Sequence, residues 1–291
     1  MAEPAGHHSF TFEGIGTEWE VSTQTALPVA LRSRLRDRVE AFDGGWSRFR
    51  RDSLVGAMAR TPGRYHFPAE AEVLGQLYRR LYEVSGGAMT PLVGAGLEQL
   101  GYGPGYVLQP RGPAAPVPAW DDVLEWNGQS ITVHRPVVLD VGAAGKGMLV
   151  DLLAAELDDA GVEAYCIDAS GDLLVRGLGP LAVGLEHPYN PKQAIGIVSV
   201  QDQALCASAA NRRAWGDGLH HILDGTTGRP VRMVVSTWAL ADTTVLADAL
   251  ATALFFLPGG VLEQQFDFSW LTVFSDGSAA YSPGFAGTLF T

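Results

Sequence analysis

Lysine is almost missing from this sequence: of its 20 basic residues only Lys146 and Lys192 are lysines, and the rest are arginines. Cysteine is as scarce. Cys166 and Cys206 stand alone, which excludes a disulfide framework. No apolar run approaches the ~20 residues that a bilayer span requires. The opening MAEPAGHHSF has no basic segment followed by an apolar one, so neither a signal peptide nor an anchoring cysteine is expected, and the protein reads as cytoplasmic. Positive charge is short overall, with 32 acidic residues against 20 basic and a net charge of −12. That balance disfavours general binding to nucleic acid or anionic membranes. Charged residues are 18% and hydrophobic residues 47% of 291, which excludes wholesale disorder and allows a sizeable core.

Apolar spacing predicts helices over 29–42, 69–85, 146–160 and 242–257, the second closed by Gly86-Gly87. Alternation predicts strands over 131–141, 163–169 and 231–237. Residues 104–120 are rich in Pro and Gly and read as an irregular connection rather than a domain boundary. The expected fold class is α+β, with mixed, largely antiparallel sheets and packed helices. A single unit over 1–291 is expected, with a flexible stretch at 1–10.

Three segments could carry chemistry. ADTTVLADALATALFFL (241–257) is apolar or small on every face from Val245 onward except at Asp248 and Thr252, so this helix should be buried. A lone buried carboxylate must be paired, hydrogen-bonded or bound to a cation. Asp248 and Thr252 are four apart and share a face, a spacing suited to a hard divalent ion such as Mg²⁺. The alternative is a buried aspartate satisfied by arginine or backbone donors, with Thr252 bonding its own helix. LDVGAAGKGMLVD (139–151) places small residues at a strand-to-helix turn, where backbone N–H groups and Lys146 could meet an anion. A ligand-free tight turn, with Lys146 as the partner of Asp248, fits equally well. NRRAWGDGLHHILDGTTGRPV (211–231) offers His221 near Asp224 for acid–base work; a hairpin with Asp224-Gly225 turn chemistry is the competing reading. Cys166 and Cys206 lie in apolar strands as core thiols, and the SRFRRDS patch (47–53) is a solvated loop or a phosphate or ring contact.

In this order the segments resemble the ApbE family, the FAD:protein FMN transferases. The resemblance runs from about Gly14 to Leu257 and is carried by GIGTEWEV, WSRFRRDSLV, GGAMTPLVG, LDVGAAGKGMLVD, HHILDGTTGRPV and LADALATAL. It implies an ApbE-like, T-fold-related protein that uses FAD and Mg²⁺, attaches FMN by a phosphoester to a Thr or Ser of a target flavoprotein, and releases AMP. Carried over by position, it implies metal ligands at Asp248, Thr252 and the Gly145 carbonyl. It implies FAD contacts at Ile15, Phe49, Ala88, Met89, Thr90, Asp140, Lys146, His221 and Ile222, and catalysis at His221 and Asp224. The sequence departs from the family pattern at Ile15 (usually Met), at 167–173, at 206–215 (CASAANRRAW) and at Gly225 (usually Pro). Two alternatives share the fold: a flavin-binding protein without transfer activity, and an Mg²⁺-dependent FAD pyrophosphatase that yields FMN and AMP.

Overall fold

The computed structural model describes residues 8–113 and 116–290. Period-two burial sets up the first hairpin. In β1 (His8–Gly14) Phe10, Phe12 and Gly14 face inward, and in β2 (Thr17–Thr23) Trp19, Val21 and Thr23 do. Ile15 and Gly16 join them with φ of 44° and 79°, the left-handed conformation that a two-residue hairpin needs. The chain continues through α1 (Val29–Trp46), α2 (Leu54–Met58), β3 (Gly63–His66), α3 (Glu70–Val84), α4 (Gly94–Gln99), α5 (Trp120–Val123), β4 (Leu124–Asn127) and β5 (Ser130–Val133). Next come α6 (Gly145–Asp159), β6 (Tyr165–Asp168), β7 (Asp172–Arg176), β8 (Leu181–His187), β9 (Asn190–Val200) and β10 (Ala204–Ala209). Two short ribbons follow, β11 (Ala214–Trp215) with β12 (Leu219–His220) and β13 (Leu223–Asp224) with β14 (Arg229–Pro230). The last elements are β15 (Val234–Ala241), α7 (Thr244–Ala253), α8 (Gly259–Leu262), β16 (Ser269–Phe274), β17 (Ala279–Tyr281) and β18 (Gly287–Leu289).

Eight strands form one sheet in the order β1-β2-β6-β7-β10-β15-β16-β17, with every neighbouring pair antiparallel. Each face has its own core. Ala204, Cys206, Ala239 and Ala241 turn toward a layer built from α1, α3, α6 and α7. Leu205, Trp238 and Leu240, one residue out of phase, turn toward the three-stranded sheet β18-β9-β8. The result is a three-layer α+β architecture, helices over sheet over sheet.

The helix layer is tightest where α6 crosses α7. A Cβ on Gly147 would lie 2.3 Å from the Thr244 carbonyl oxygen and 2.7 Å from Asp248 Cβ, so only glycine lets the two helices approach this closely. One turn later, both oxygens of Asp151 accept the backbone N–H groups of Thr244 and Val245, at 2.9 and 2.8 Å. An acid on one helix thus satisfies the orphan donors at the start of the next.

Several sequence expectations change. The strand expected over 131–141 ends at Val133, because Pro136 cannot donate to a ladder. Beyond it the chain is held by single bonds, such as Asp140 N–H to the Pro91 carbonyl at 2.8 Å, so no strand leads into the 139–151 turn. The strand expected over 231–237 starts at Val234 and extends to Ala241, and the helix expected to reach residue 257 ends at Ala253. Of the stretch expected to be flexible, His8–Phe10 belong to β1 and residues 1–7 lie outside the described residues.

Candidate active site

A two-chambered cleft opens where the start of α6, the hairpin tip at Ile15–Gly16 and the 206–223 segment meet. The inner chamber, about 320 Å³, is lined by Met89, Thr90, Lys146, His221, Asp248 and Thr252, among others. The outer one, about 640 Å³, is walled by Ile15, Phe49, Tyr102, Tyr106, Trp215 and the α6 start at Gly145. Gly16, Tyr102, Asp140, Gly142, Lys146, Arg212 and Arg213 belong to both and form the neck between them. Of the five non-glycine residues with positive φ among the described residues, four (Ile15, Tyr106, Leu108 and Ser170) line this cleft, and such strain concentrates at working sites.

Asp248 lies at the inner end, 5% exposed. Its Oδ2 accepts the Gly147 N–H at 2.9 Å, and no hydrogen bond from a described residue reaches Oδ1. Burial, with the charge of Asp172 behind it, pushes its carboxyl up to about 8, against the pull of Lys146 and the Gly147 N–H. The Thr252 hydroxyl, one turn further along α7, lies 3.2 Å from Ser208 Oγ on β10. Among the described residues no cluster of three or more His, Cys, Asp or Glu could enclose a metal. A cation here would instead rest on one carboxylate with hydroxyl and carbonyl oxygens. That donor set suits a hard ion that keeps water or phosphate ligands, and a buried carboxyl whose charge burial and Asp172 oppose is the group such an ion would stabilise as carboxylate.

Lys146 pairs with Asp172, not with Asp248: Nζ lies 2.6 Å from Asp172 Oδ2 and donates to the Ala169 carbonyl at 2.8 Å. Burial opposes its charge, but Asp172 and Asp248 outweigh burial and hold the ammonium above its ordinary range. Asp140 accepts Arg48 Nε at 2.6 Å and the Gly142 N–H at 2.8 Å. Against the upward push of burial, the Arg48 charge and these bonds hold its carboxyl below the usual value. Arg48 itself is buried, packed 4.2 Å from the Phe49 ring centroid and 5.0 Å from that of Tyr102. Phe49 stacks on Tyr106 at 5.3 Å with a 6° tilt, and Tyr102 stacks on Trp215 at 5.5 Å, so the outer chamber is a box of flat rings.

His221 lines the inner chamber, while its neighbour His220 points away and bonds the Val231 carbonyl at 2.7 Å. Burial, then the charges of Arg213 and His220, lower His221 to about 3, so its ring is neutral at pH 7. Its Nδ1 is buried without a hydrogen-bond partner among the described residues.

Thus Met89, Thr90, Asp140, Lys146, His221, Ile222, Asp248 and Thr252 meet in the inner chamber, and Ile15, Phe49 and Gly145 border the outer one. Ala88 and Asp224 line neither. The Ala88 carbonyl accepts the Gly225 N–H at 2.7 Å, and the Asp224 carboxylate accepts Thr226 N–H and Oγ1 at 2.7 and 2.6 Å. Asp224 therefore has the turn geometry of the hairpin reading. A Cβ at Gly225 would lie 2.4 Å from the Gly87 carbonyl oxygen, which explains glycine there. Sequence reasoning missed Arg48, Asp172, Arg213 and Tyr78. Tyr78 is buried, its hydroxyl has no hydrogen-bond partner among the described residues, and burial followed by the charges of Asp140 and Asp248 raises that hydroxyl well above its ordinary value. A hydroxyl on the apolar face of 70–84 was the one available signal for it.

An acidic pocket with oxygen donors lies beside a box of flat rings, with Lys146, Arg212 and Arg213 between them, an arrangement that could take an elongated ligand part aromatic and part anionic. The ApbE family profile matches residues 15–264, and this chain belongs to the ApbE family. A Rhodobacter capsulatus protein named FAD:protein FMN transferase is 32% identical over 87% of this chain, which spans only 52% of that relative. A Klebsiella pneumoniae protein of the same name is 26% identical, with 84% of this chain and 76% of the relative covered. Among solved structures, the ApbE protein of Thermotoga maritima superposes with a TM-score of 0.83 at 24% identity, covering 95% of this chain and 97% of that one. The flavin transferase ApbE of Vibrio cholerae gives 0.79 at 22% identity, covering 97% and 99%. These likenesses establish the three-layer fold.

Proposed function

We propose that this chain transfers FMN from FAD to a Ser or Thr hydroxyl of a target flavoprotein, releasing AMP, in an Mg²⁺-dependent reaction. One observation carries the reading: a buried Asp248, with one carboxyl oxygen that no hydrogen bond from a described residue reaches, shares a chamber with Thr252, Lys146 and His221, beside an aromatic box that suits a flavin or adenine ring. Asp248, Thr252 and the Gly145 carbonyl would hold the ion, which when bound supplies charge neutralisation at the diphosphate.

The remaining work falls to the chain itself. The acceptor oxygen bonds to the FMN-side phosphorus while the bridging P–O bond breaks, and AMP departs with that electron pair. The hydroxyl proton goes to the neutral His221 imidazole. The negative charge of the bound diphosphate offsets Arg213, one of the charges that lower the basicity of His221. Asp172 holds Lys146 at the neck, and Arg48 holds Asp140. Asp224 positions the His221 segment through its turn.

Incubation with FAD, Mg²⁺ and a peptide carrying an acceptor Thr tests the proposal. The expected product is fluorescent, covalently modified peptide and one AMP per transfer. Free FMN and AMP without modified peptide would establish a pyrophosphatase, and tight FAD without turnover a binding protein. Full transfer by His221→Ala, with Asp248→Ala inactive, would remove His221 from the chemistry.

A further inference from the structure

Five cationic side chains line the cleft, and four are already committed. Lys146 pairs with Asp172 at 2.6 Å and Arg48 with Asp140 at 2.6 Å. Arg50 is held by Asp52 at 2.9 Å and Asp43 at 3.1 Å, and Arg212 by Glu186 at 2.8 Å. The fifth, Arg213, has no carboxylate within ion-pair distance and no side-chain hydrogen bond among the described residues. Its guanidinium carbon lies 6.0 Å from the Tyr102 ring centroid, it borders both chambers, and its charge is felt at Asp140, Tyr102 and His221. Arg212 and Arg213 are adjacent and both line the neck, yet Arg212 is tied to Glu186 of β8 and Arg213 is not.

With no carboxylate partner among the described residues, the exposed Arg213 guanidinium borders a cleft that also holds Asp140, Asp172 and Asp248, and it is placed to meet incoming negative charge. We infer that Arg213 contacts the diphosphate of the bound dinucleotide at the neck, as the one cation lining the cleft that has no carboxylate partner among the described residues. The inference rests on the flavin-transfer reading and adds a phosphate contact from the 206–215 segment, where this sequence departs from the family pattern. The planar fork of arginine can take two phosphate oxygens at once, which a lysine at the same position cannot reproduce.

Binding measured by flavin fluorescence quenching, without any turnover, tests this. Wild type, Arg213→Gln and Arg213→Lys are compared for FAD and for riboflavin, which has the rings but no phosphate, with Mg²⁺ and with chelator. Arg213→Gln should bind FAD roughly 10- to 100-fold more weakly, as for the loss of a charge-assisted contact, and riboflavin unchanged. Arg213→Lys should recover part of the loss, and the salt dependence of FAD binding should become shallower in the Gln variant. Unaltered FAD affinity in Arg213→Gln overturns the inference. So does an equal loss for riboflavin, which would mean that Arg213 only supports the Tyr102 ring. If wild type binds neither FAD nor riboflavin, the flavin reading itself fails, and the inference with it. Arg213 is exposed, so an unchanged melting temperature serves as the folding control for both variants.

Discussion

Replacing Asp248 with asparagine should make the metal-free protein more stable. Asp248 titrates near 3.8 in an unfolded chain and is pushed up to about 8 in the folded one by burial and by Asp172. The folded state therefore holds its proton more tightly, and this contribution is complete below pH 3.8 and lost as pH rises toward 8. At pH 7 the difference amounts to at most about 4 kcal/mol of lost stability, since each tenfold change in proton affinity is worth about 1.4 kcal/mol. Asparagine removes the charge but keeps an oxygen for the Gly147 N–H. Structural relaxation in the wild type takes up part of that ceiling, which leaves an expected gain of about 2 kcal/mol, or roughly 3 °C in melting temperature for a chain of this size. The measurement is thermal unfolding of both proteins at pH 4, 7 and 8.5, with and without Mg²⁺. The gap should be absent at pH 4 and widen with pH. Mg²⁺ should raise the wild-type midpoint and leave Asp248→Asn unmoved, because only the carboxylate gains a counter-ion. An Asp248→Asn protein that is less stable than wild type at pH 8.5 in chelator would refute the reasoning, and so would a gap independent of pH.

Two further substitutions probe the frame around this group. Asp151→Ala strips the acceptors from the Thr244 and Val245 N–H groups and should lower stability by about 1–2 kcal/mol in urea unfolding; an unchanged midpoint would show that α7 does not depend on this cap. His221 is depressed from 6.5 to about 3, so the stability tied to its neutral ring is complete above pH 6.5 and lost as pH falls toward 3. At pH 5 that loss is about 2 kcal/mol. It should be absent in His221→Gln, which should therefore gain on wild type between pH 7 and 5. Parallel melting curves across that range would mean that the ring is not held neutral.

The parts of this fold with local causes were legible in advance. A helix that is small and apolar on every side has to be buried, and its two oxygen-bearing residues four apart have to share a face, so α7, Asp248 and Thr252 could be read from LADALATAL alone. What escaped depends on contacts distant in sequence. Lys146 looked free for phosphate or for Asp248, and only the fold brings Asp172 to it from the other side of β6. Arg48 seemed part of a solvated patch until the cleft put Asp140 against it, 92 residues away. Residues 137–141 alternate like a strand, yet no neighbouring strand is there to pair with them. Asp224 could not be judged from its neighbours, since an aspartate before glycine and two threonines serves a turn or a reaction equally well until the carboxylate's partners are seen.

The neck that joins the two chambers also limits how this molecule can change over generations. Asp140, Gly142 and Lys146 lie on a single turn and wall both compartments at once, and Asp140 answers to Arg48 from the ring-lined side while Lys146 answers to Asp172 from the other. A substitution on this turn therefore reshapes both compartments in the same event. The linings of the two compartments cannot drift as separate traits at this turn. Variation can accumulate cheaply only in pieces that wall one compartment alone, such as the 103–112 loop with Tyr106 and Leu108.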